Sequence, residues 1–197
     1  IGNAGLGYRS SNRANNRFWG ASLWYDVDGR NFNTFHQLGV TLELVGDVWD
    51  LRGNAYLPVG TTQSTVGSPI MNGGLEFQDN NLVFGSFVET ETAYDGFDLE
   101  LGRVWYPELF SRCIRTAVGF YHFQGDDNPH IYGARGRVEG SLTQNLDLGL
   151  TLQNDREFDT NLIFGVTWRF GGGTTIGARG CSYSARNRLR QTAPRNQ

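Results

Sequence analysis

Alternation of apolar and polar side chains over long segments is the feature that most limits how this chain can fold. In segment 162–170 the even-numbered residues are all apolar, and in segment 146–152 leucine fills every second position. A period of two residues places such side chains on one face of a β-strand. The same alternation recurs upstream in segments 19–27, 37–44, 49–57, 97–102 and 132–142.

The number and length of these segments favour strands that cross a membrane. Three weaker segments, 75–78, 82–90 and 113–123, and a short first strand at 3–9 bring the expected number of strands to eleven. Many of the segments have nine to twelve residues, close to the length that a tilted strand needs to span a bilayer. Within segment 113–123 we expect Arg115 to point inward, because a charge that faces lipid is costly. Ile114, Val118 and Phe120 then point outward.

Composition supports the same fold class. The chain has 27 glycines, many of them on the polar faces of the strands, together with charges of both signs. Such a face suits a hydrated lumen, and the aromatic residues near strand ends suit a membrane girdle. We therefore expect an all-β protein, a transmembrane antiparallel up-and-down β-barrel. A soluble β-sandwich is the alternative, because its strands alternate in a similar way.

The connections between strands give a second test of this expectation. If segment 162–170 ends at the periplasm, the long connection 58–72 is external, and the tight turns at 46–47 and 144–145 are periplasmic, as in outer-membrane barrels. Single-chain barrels have an even number of strands. We therefore expect twelve strands in the intact protein, of which the first precedes Ile1.

Charge divides the chain into two parts. All 17 basic residues are arginine; residues 1–170 contain 12 arginines against 20 acidic residues, whereas residues 171–197 contain five arginines and no acid. The net charge of −3 argues against nucleic acid as a partner. The expected organisation is a barrel over residues 1–170 and a basic linker over residues 171–197.

Four segments carry a resemblance to a known family: 5–9 (GLGYR), 20–28, 36–40 (HQLGV) and 51–58 (LRGNAYLP). In order and spacing the chain resembles the β-domain of the inverse autotransporters, the intimin and invasin family of outer-membrane adhesins. The resemblance implies a barrel assembled into the outer membrane by the barrel assembly machinery, in contact with its lipid. It also implies a linker that re-enters the pore and carries a C-terminal passenger to the cell surface. Such passengers bind receptors on host or other cells.

These expectations assign roles to particular residues. The basic stretch with Arg186, Arg188 and Arg190 resembles the family's pore linker, and we expect an acidic lumen to hold it; a disordered basic tail is the alternative. The terminal strand resembles the signal read by the assembly machinery, through Phe164, Val166, Trp168 and Phe170; an ordinary amphipathic strand would look the same. The residues expected to face the lumen are Glu43, Asp50, Arg52, Asp98, Glu100, Arg135, Arg137, Glu139, Asp147 and Arg169.

Other functions find less support in the sequence. The three histidines, His36, His122 and His130, are not accompanied by a hydrolase or metalloprotease motif, so we expect no catalysis, cofactor or metal site. Cys113 and Cys181 are both expected near the periplasmic mouth, as a disulfide or as two unpaired thiols. A passive porin or a small structural barrel without a passenger is the alternative function.

Overall fold

The computed structural model describes residues 2–12, 16–29, 33–78, 81–106, 113–126, 130–143 and 146–168, with backbone only at residues 12, 67–78 and 81–89. The described chain forms eleven β-strands, which confirms the expected number. Among the described residues, no helix is long and apolar enough to cross a membrane. The strands are β1 (Gly2–Asn12), β2 (Arg17–Asp28), β3 (Phe35–Val45), β4 (Trp49–Val59), β5 (Gln63–Gln78), β6 (Asn81–Thr92), β7 (Asp95–Trp105), β8 (Ile114–Gln124), β9 (Ile131–Ser141), β10 (Leu146–Asp155) and β11 (Asp159–Trp168).

Nine of these strands form one antiparallel sheet, which we call the wall. Its order is β1-β2-β3-β4-β7-β8-β9-β10-β11, so apart from the step from β4 to β7, each strand pairs with the next one in the sequence. The ladders are regular: β2 and β3, for example, pair without interruption from Phe18 opposite Val45 to Asp28 opposite Phe35. Strands β1 and β11 are the edges, and no ladder joins them within the described residues.

The remaining two strands, β5 and β6, pair only with each other in the described part of the chain. They form a hairpin that leaves the wall after β4 and returns at β7, where Gln63 pairs with Thr92. The strand pattern of the sequence instead predicts segments 75–78 and 82–90 to be successive strands of one barrel. Pro69 and the pair Gly73-Gly74 interrupt β5. Its ladder with β6 shifts register three times between Val66 and Leu75, as expected where proline and glycine fall within a strand.

The two faces of the wall differ in burial. On β7, for instance, Asp98 is 2% exposed whereas its neighbour Leu99 is 48% exposed. We call the buried face the inner face and the exposed face the outer face. Because successive residues of a strand point to opposite faces, the sequence alternation puts leucines and aromatics outside and polar residues inside. Arg115 is buried on β8 and Val118 is exposed, as the sequence analysis expected.

The two ends of the wall also differ. At the end that we call the turn end, β3 and β4 are joined by a tight turn in which the Gly46 amide donates to the Trp49 carbonyl at 2.8 Å. The Val104 amide, near the end of β7, donates to the carbonyl of Val48 at 2.7 Å, which fastens this turn to the wall. The Tyr106 hydroxyl donates to the Asp47 carbonyl at 3.1 Å.

The opposite end, which we call the loop end, carries the β5–β6 hairpin and the β2–β3, β8–β9 and β10–β11 connections. The hairpin base contacts two loops of the wall: Glu91 accepts hydrogen bonds from the Asn33 backbone amide at 3.1 Å and side-chain amide at 2.9 Å, and Thr62 donates to Asp126. The β10–β11 turn is closed by Asp155, whose carboxylate accepts from the amides of Glu157 and Phe158. The first of these contacts join the hairpin base to the β2–β3 and β8–β9 connections.

Candidate functional site

The inner face of the wall holds a network of ion pairs centred on Arg115. Its guanidinium donates two hydrogen bonds to the Asp50 carboxylate, at 3.0 Å from Nε and 2.6 Å from Nη2. It donates further hydrogen bonds to Glu100 at 2.8 Å and to Glu139 at 2.9 Å. The side chains of Arg115, Asp50 and Glu100 are each at most 3% exposed. One buried cation therefore connects carboxylates from three other strands.

Glu100 is the second centre of the network. Besides Arg115, its carboxylate has three arginines around it: Arg137 at 3.5 Å, Arg135 at 3.8 Å and Arg52 at 3.9 Å. Arg135 also approaches Asp98 at 3.5 Å. Distances of 3.5–3.9 Å are those of ion pairs without direct hydrogen bonds. The shortest contact of Glu100 in this network is therefore its hydrogen bond with Arg115, at 2.8 Å.

Neutral side chains extend the network toward the loop end. Asp98 accepts hydrogen bonds from the Asn54 amide at 3.1 Å and from the Tyr56 hydroxyl at 3.0 Å. The Thr41 hydroxyl donates to Asn54 at 2.8 Å, and the Tyr121 hydroxyl donates to Asp155 at 2.5 Å. Buried polar groups are stable only when they are hydrogen-bonded, and these contacts provide bonds for side chains of β3, β4, β7, β8 and β10.

Strand pairing explains why these residues meet. Arg52 lies opposite Glu100 in the β4–β7 ladder, and Arg115 lies opposite Glu139 in the β8–β9 ladder. Arg115 reaches over β7 to Asp50 beside Gly102, where a Cβ atom would overlap both the guanidinium and the carboxylate. The glycine at this position therefore leaves the space that the ion pair occupies.

The inner face carries more acid than base. Among the described residues, seven buried carboxylates stand against three buried arginines, Arg52, Arg115 and Arg135. The buried residues therefore have an excess of four negative charges. This excess is unchanged by the half-buried residues of the same face, which are two arginines and two acids: Arg9, Arg137, Asp28 and Glu139. The seven buried acids are Asp26, Glu43, Asp50, Asp98, Glu100, Asp147 and Asp155.

Nine of the ten residues expected to face the lumen lie within the described chain, and all nine are on the inner face. Arg137 and Glu139 are half-buried and the other seven are buried; Arg169 lies outside the described residues. Arg115, the centre of the network, is not one of the ten residues predicted to face the lumen, although the sequence predicts that it points inward. Arg9, which pairs with Glu43, and Asn54 are also missing from that prediction, although both share the parity of their strands' inner residues.

The other predicted sites are only partly within the described residues. Phe164, Val166 and Trp168 are exposed on the outer face of β11, where Phe164 lies opposite Leu150. Phe170, Arg186, Arg188 and Arg190 lie outside the described residues.

Cys113 is disulfide-bonded and 1% exposed at the turn end, where it packs against Val104. The other cysteine of the sequence, Cys181, lies outside the described residues. The alternative of an unpaired thiol at Cys113 is therefore wrong.

The histidines lie at the loop end among aromatic rings. Nδ1 of His36 is 2.7 Å from the Tyr25 hydroxyl, and His122 stacks on Tyr132 with ring centroids 4.4 Å apart. His122 and His130 are joined by a contact of 3.2 Å between their ring nitrogens. In the part of the chain that the structure describes, no group of three or more histidine, cysteine, aspartate or glutamate side chains has the geometry of a metal site.

Comparison with protein families identifies the family of this chain. The family model "Inverse autotransporter, beta-domain" matches residues 1–129, about two thirds of the chain. The chain belongs to the inverse autotransporter β-domain family. This confirms the resemblance found in the sequence, and it identifies the fold as the transmembrane β-barrel of an outer-membrane translocator in type V secretion.

Comparison with solved structures agrees on the fold. The inverse autotransporter wall is similar to a chain from work described as "Unveiling the Mechanism Behind the in-meso Crystallization of Membrane Proteins", with a TM-score of 0.67 and 16% identity. The match covers 98% of this chain and 76% of the other. No curated protein matches the sequence. As a member of this family of translocators and adhesins, the chain is placed in the bacterial outer membrane.

Proposed function

We propose that this inverse autotransporter β-domain anchors a C-terminal adhesin-like passenger and exports it to the cell surface. The observation that carries the proposal is that the two parts of the chain have opposite charge. The buried inner face has an excess of acid, and residues 171–197 carry five arginines and no acid. An acidic channel wall attracts the basic segment that follows it in the sequence, which favours passage of that segment through the channel.

The proposal takes the inner face as the lumen and the outer face as the surface in contact with lipid. The paired charges on the inner face support this assignment, because unpaired charges in a narrow lumen would be costly. On the outer face, leucine and aromatic side chains such as Leu42, Leu99 and Phe120 are more than 40% exposed, which suits contact with lipid tails.

The basic linker is proposed to pass through this lumen, with Arg186, Arg188 and Arg190 near its acidic residues. Cys113 supports this placement, because it is disulfide-bonded at the turn end of the inner face and the sequence contains only one other cysteine, Cys181 in the linker. A bond between the two would tether the linker to the mouth of the lumen. Ion pairs there would be screened less than on an open surface.

The terminal strand is proposed to present the assembly signal. Its apolar residues Phe164, Val166 and Trp168 are exposed on the outer face. A partner that recognises the strand before membrane insertion can therefore contact all three side chains. The barrel assembly machinery is then the partner that recognises them, and the exported passenger supplies the adhesive contacts with other cells.

Export of the C-terminus is tested by epitope labelling. The 197-residue chain, directed to the periplasm by a secretory signal, carries an epitope after Gln197 and is expressed in a Gram-negative host. Two reference chains carry the same epitope elsewhere: at the loop end between Arg156 and Glu157, and at the turn end next to Asp47. Antibody binding is measured on intact and on permeabilised cells.

We expect the C-terminal and loop-end epitopes to be labelled on intact cells and the turn-end epitope only after permeabilisation. A C-terminal epitope that requires permeabilisation, beside a loop-end epitope that does not, would contradict export and favour a porin. A turn-end epitope that is accessible on intact cells would contradict the proposed orientation of the wall.

A further inference from the structure

The outer face of the wall contains one charged residue in an unusual position, Arg103 on β7. Within the described wall, it is the only arginine or acidic residue on the outer face that is neither the first nor the last residue of its strand. The register places it between Trp49 on β4 and Thr116 on β8. An isolated charge on a lipid-facing surface needs a physical reason, because its cost rises toward the bilayer centre.

Two tryptophans hold the Arg103 side chain. Its guanidinium carbon is 3.9 Å from the ring centroid of Trp105 and 5.0 Å from that of Trp49. These distances are those of cation–π contacts. The Trp105 ring is itself fixed, because its indole nitrogen donates to the Thr116 hydroxyl at 2.8 Å. The guanidinium is therefore held in place before any ligand arrives.

The hydrogen-bonding capacity of Arg103 is not used within the described residues. Its buried Nε makes no hydrogen bond there, and no carboxylate there forms an ion pair with it. Arg115 on the inner face, by comparison, donates to three carboxylates. The cation–π contacts orient Arg103 but leave its N–H groups without an acceptor in the part of the chain that the structure describes.

The depth of Arg103 in the wall matches that of lipid headgroups. It lies two residues from the end of β7, followed by the exposed aromatic residues Trp105 and Tyr106. Tryptophan and tyrosine gather at the membrane–water interface. On the side toward the bilayer centre, the outer-face neighbours are Leu101 and Leu51, which pair with each other across the strands. A cavity of about 1140 Å³ also opens at this end, lined by Trp49, Leu51 and Leu101 among others.

We propose that Arg103, Trp49 and Trp105 bind the phosphate group of an anionic phospholipid in the leaflet at the turn end. A guanidinium offers two parallel N–H groups to a phosphate, and the leucines below it provide a surface for the acyl chains. The inference rests on the membrane-spanning wall and is independent of passenger export. Its ligand is a lipid and not free phosphate, because the apolar surface adjoins the cation.

Quenching of tryptophan fluorescence by brominated lipids tests the proposal. The 197-residue chain is studied with Trp19→Phe and Trp168→Phe, so that Trp49 and Trp105 are the tryptophans that remain exposed on the outer face. It is reconstituted in phosphatidylcholine vesicles in which brominated phosphatidylglycerol or brominated phosphatidylcholine is varied. The quenching curves give the relative association constant of the two lipids. Arg103→Gln removes the cation, Arg103→Lys keeps the charge without the planar fork, and Arg156→Gln removes an exposed charge at the loop end.

We expect phosphatidylglycerol to be preferred about fivefold, as one arginine near a membrane surface should produce, and this preference to fall at high salt. It should vanish in Arg103→Gln, decrease in Arg103→Lys and persist in Arg156→Gln. Equal association of both lipids with the protein that retains Arg103 would overturn the proposal. An unchanged preference for phosphatidylglycerol in Arg103→Gln would also overturn it. Loss of the preference on addition of inorganic phosphate at constant ionic strength would show that free phosphate is the ligand. Quenching by brominated phosphatidylcholine itself reports membrane insertion, so a wall that does not insert is distinguished from one that lacks the lipid site.

Discussion

Replacement of Arg115 by glutamine should destabilise the wall more than any change of an exposed charge. Arg115 donates four hydrogen bonds to three carboxylates, and its own side chain is 3% exposed. Arg115→Gln leaves Asp50 and Glu100 buried with fewer counter-charges. Breaking a buried ion pair by removing one partner costs about 3–5 kcal/mol of unfolding free energy, and we expect a value in this range.

The free energy of unfolding is measured by urea titration of the protein in lipid vesicles, with tryptophan fluorescence as the signal. Arg156→Gln is the control, because Arg156 is exposed in the β10–β11 turn; it should change stability by no more than about 0.5 kcal/mol. Arg115→Lys should fall between the wild type and Arg115→Gln, because lysine keeps the charge but not the fork of donors.

A double variant separates the loss of charge balance from the loss of packing. Arg115→Gln combined with Asp50→Asn removes the buried carboxylate that accepts two of the lost hydrogen bonds, so it should recover about 1 kcal/mol or more. If Arg115→Gln lies within about 1 kcal/mol of the wild type, the inner face is solvated like an open surface and the argument from burial is refuted. A double variant that is less stable than Arg115→Gln would refute the argument from charge.

Three further predictions concern the glycines, the hairpin and the outer face. Gly133→Ala should cost about 1–3 kcal/mol in the same unfolding assay, because a Cβ there would overlap the Tyr121 ring; Gly136→Ala, with nothing within 4 Å of its Cβ, is the control on the same strand and should behave as wild type. Replacing residues 64–91 by an Asn-Gly turn should leave a folded wall with altered migration on unheated gels, because β4 and β7 pair directly and Asn-Gly suits a two-residue hairpin; loss of folding would show that the hairpin belongs to the wall. Val118→Arg should reduce the free energy of unfolding in vesicles by about 2–4 kcal/mol, and a neutral result would place this face outside the lipid.

The faces of the strands could be predicted from the sequence because strand parity is a local property. On β8 the sequence leaves two apolar sets in competition, and Arg115 decides between them. A charge that faces the middle of the bilayer is costly, and the structure places Arg115 inside and Val118 outside. The same rule places Asp98 and Glu100 inside on β7. In each case the information lies within a few residues.

The pairing of distant strands could not be predicted in the same way. Arg115 meets Asp50 because β4 pairs with β7, which brings together residues 65 positions apart. An up-and-down order, in which every strand pairs with the next, predicts β5 and β6 to lie between β4 and β7. Pro69 and Gly73-Gly74 were the local indication that β5 does not continue the regular ladder. The expected total of twelve strands stays a prediction.

Single-channel conductance in planar bilayers tests the central claim, that an acidic lumen holds the basic linker. The unmodified chain is compared with the variant in which Arg186, Arg188 and Arg190 are each replaced by glutamate. Charge reversal should expel the linker from the acidic inner face, so we predict a larger conductance for the variant than for the wild type, in which the linker occupies the lumen. Equal conductance of the two proteins would contradict the account, because the linker would then lie outside the lumen.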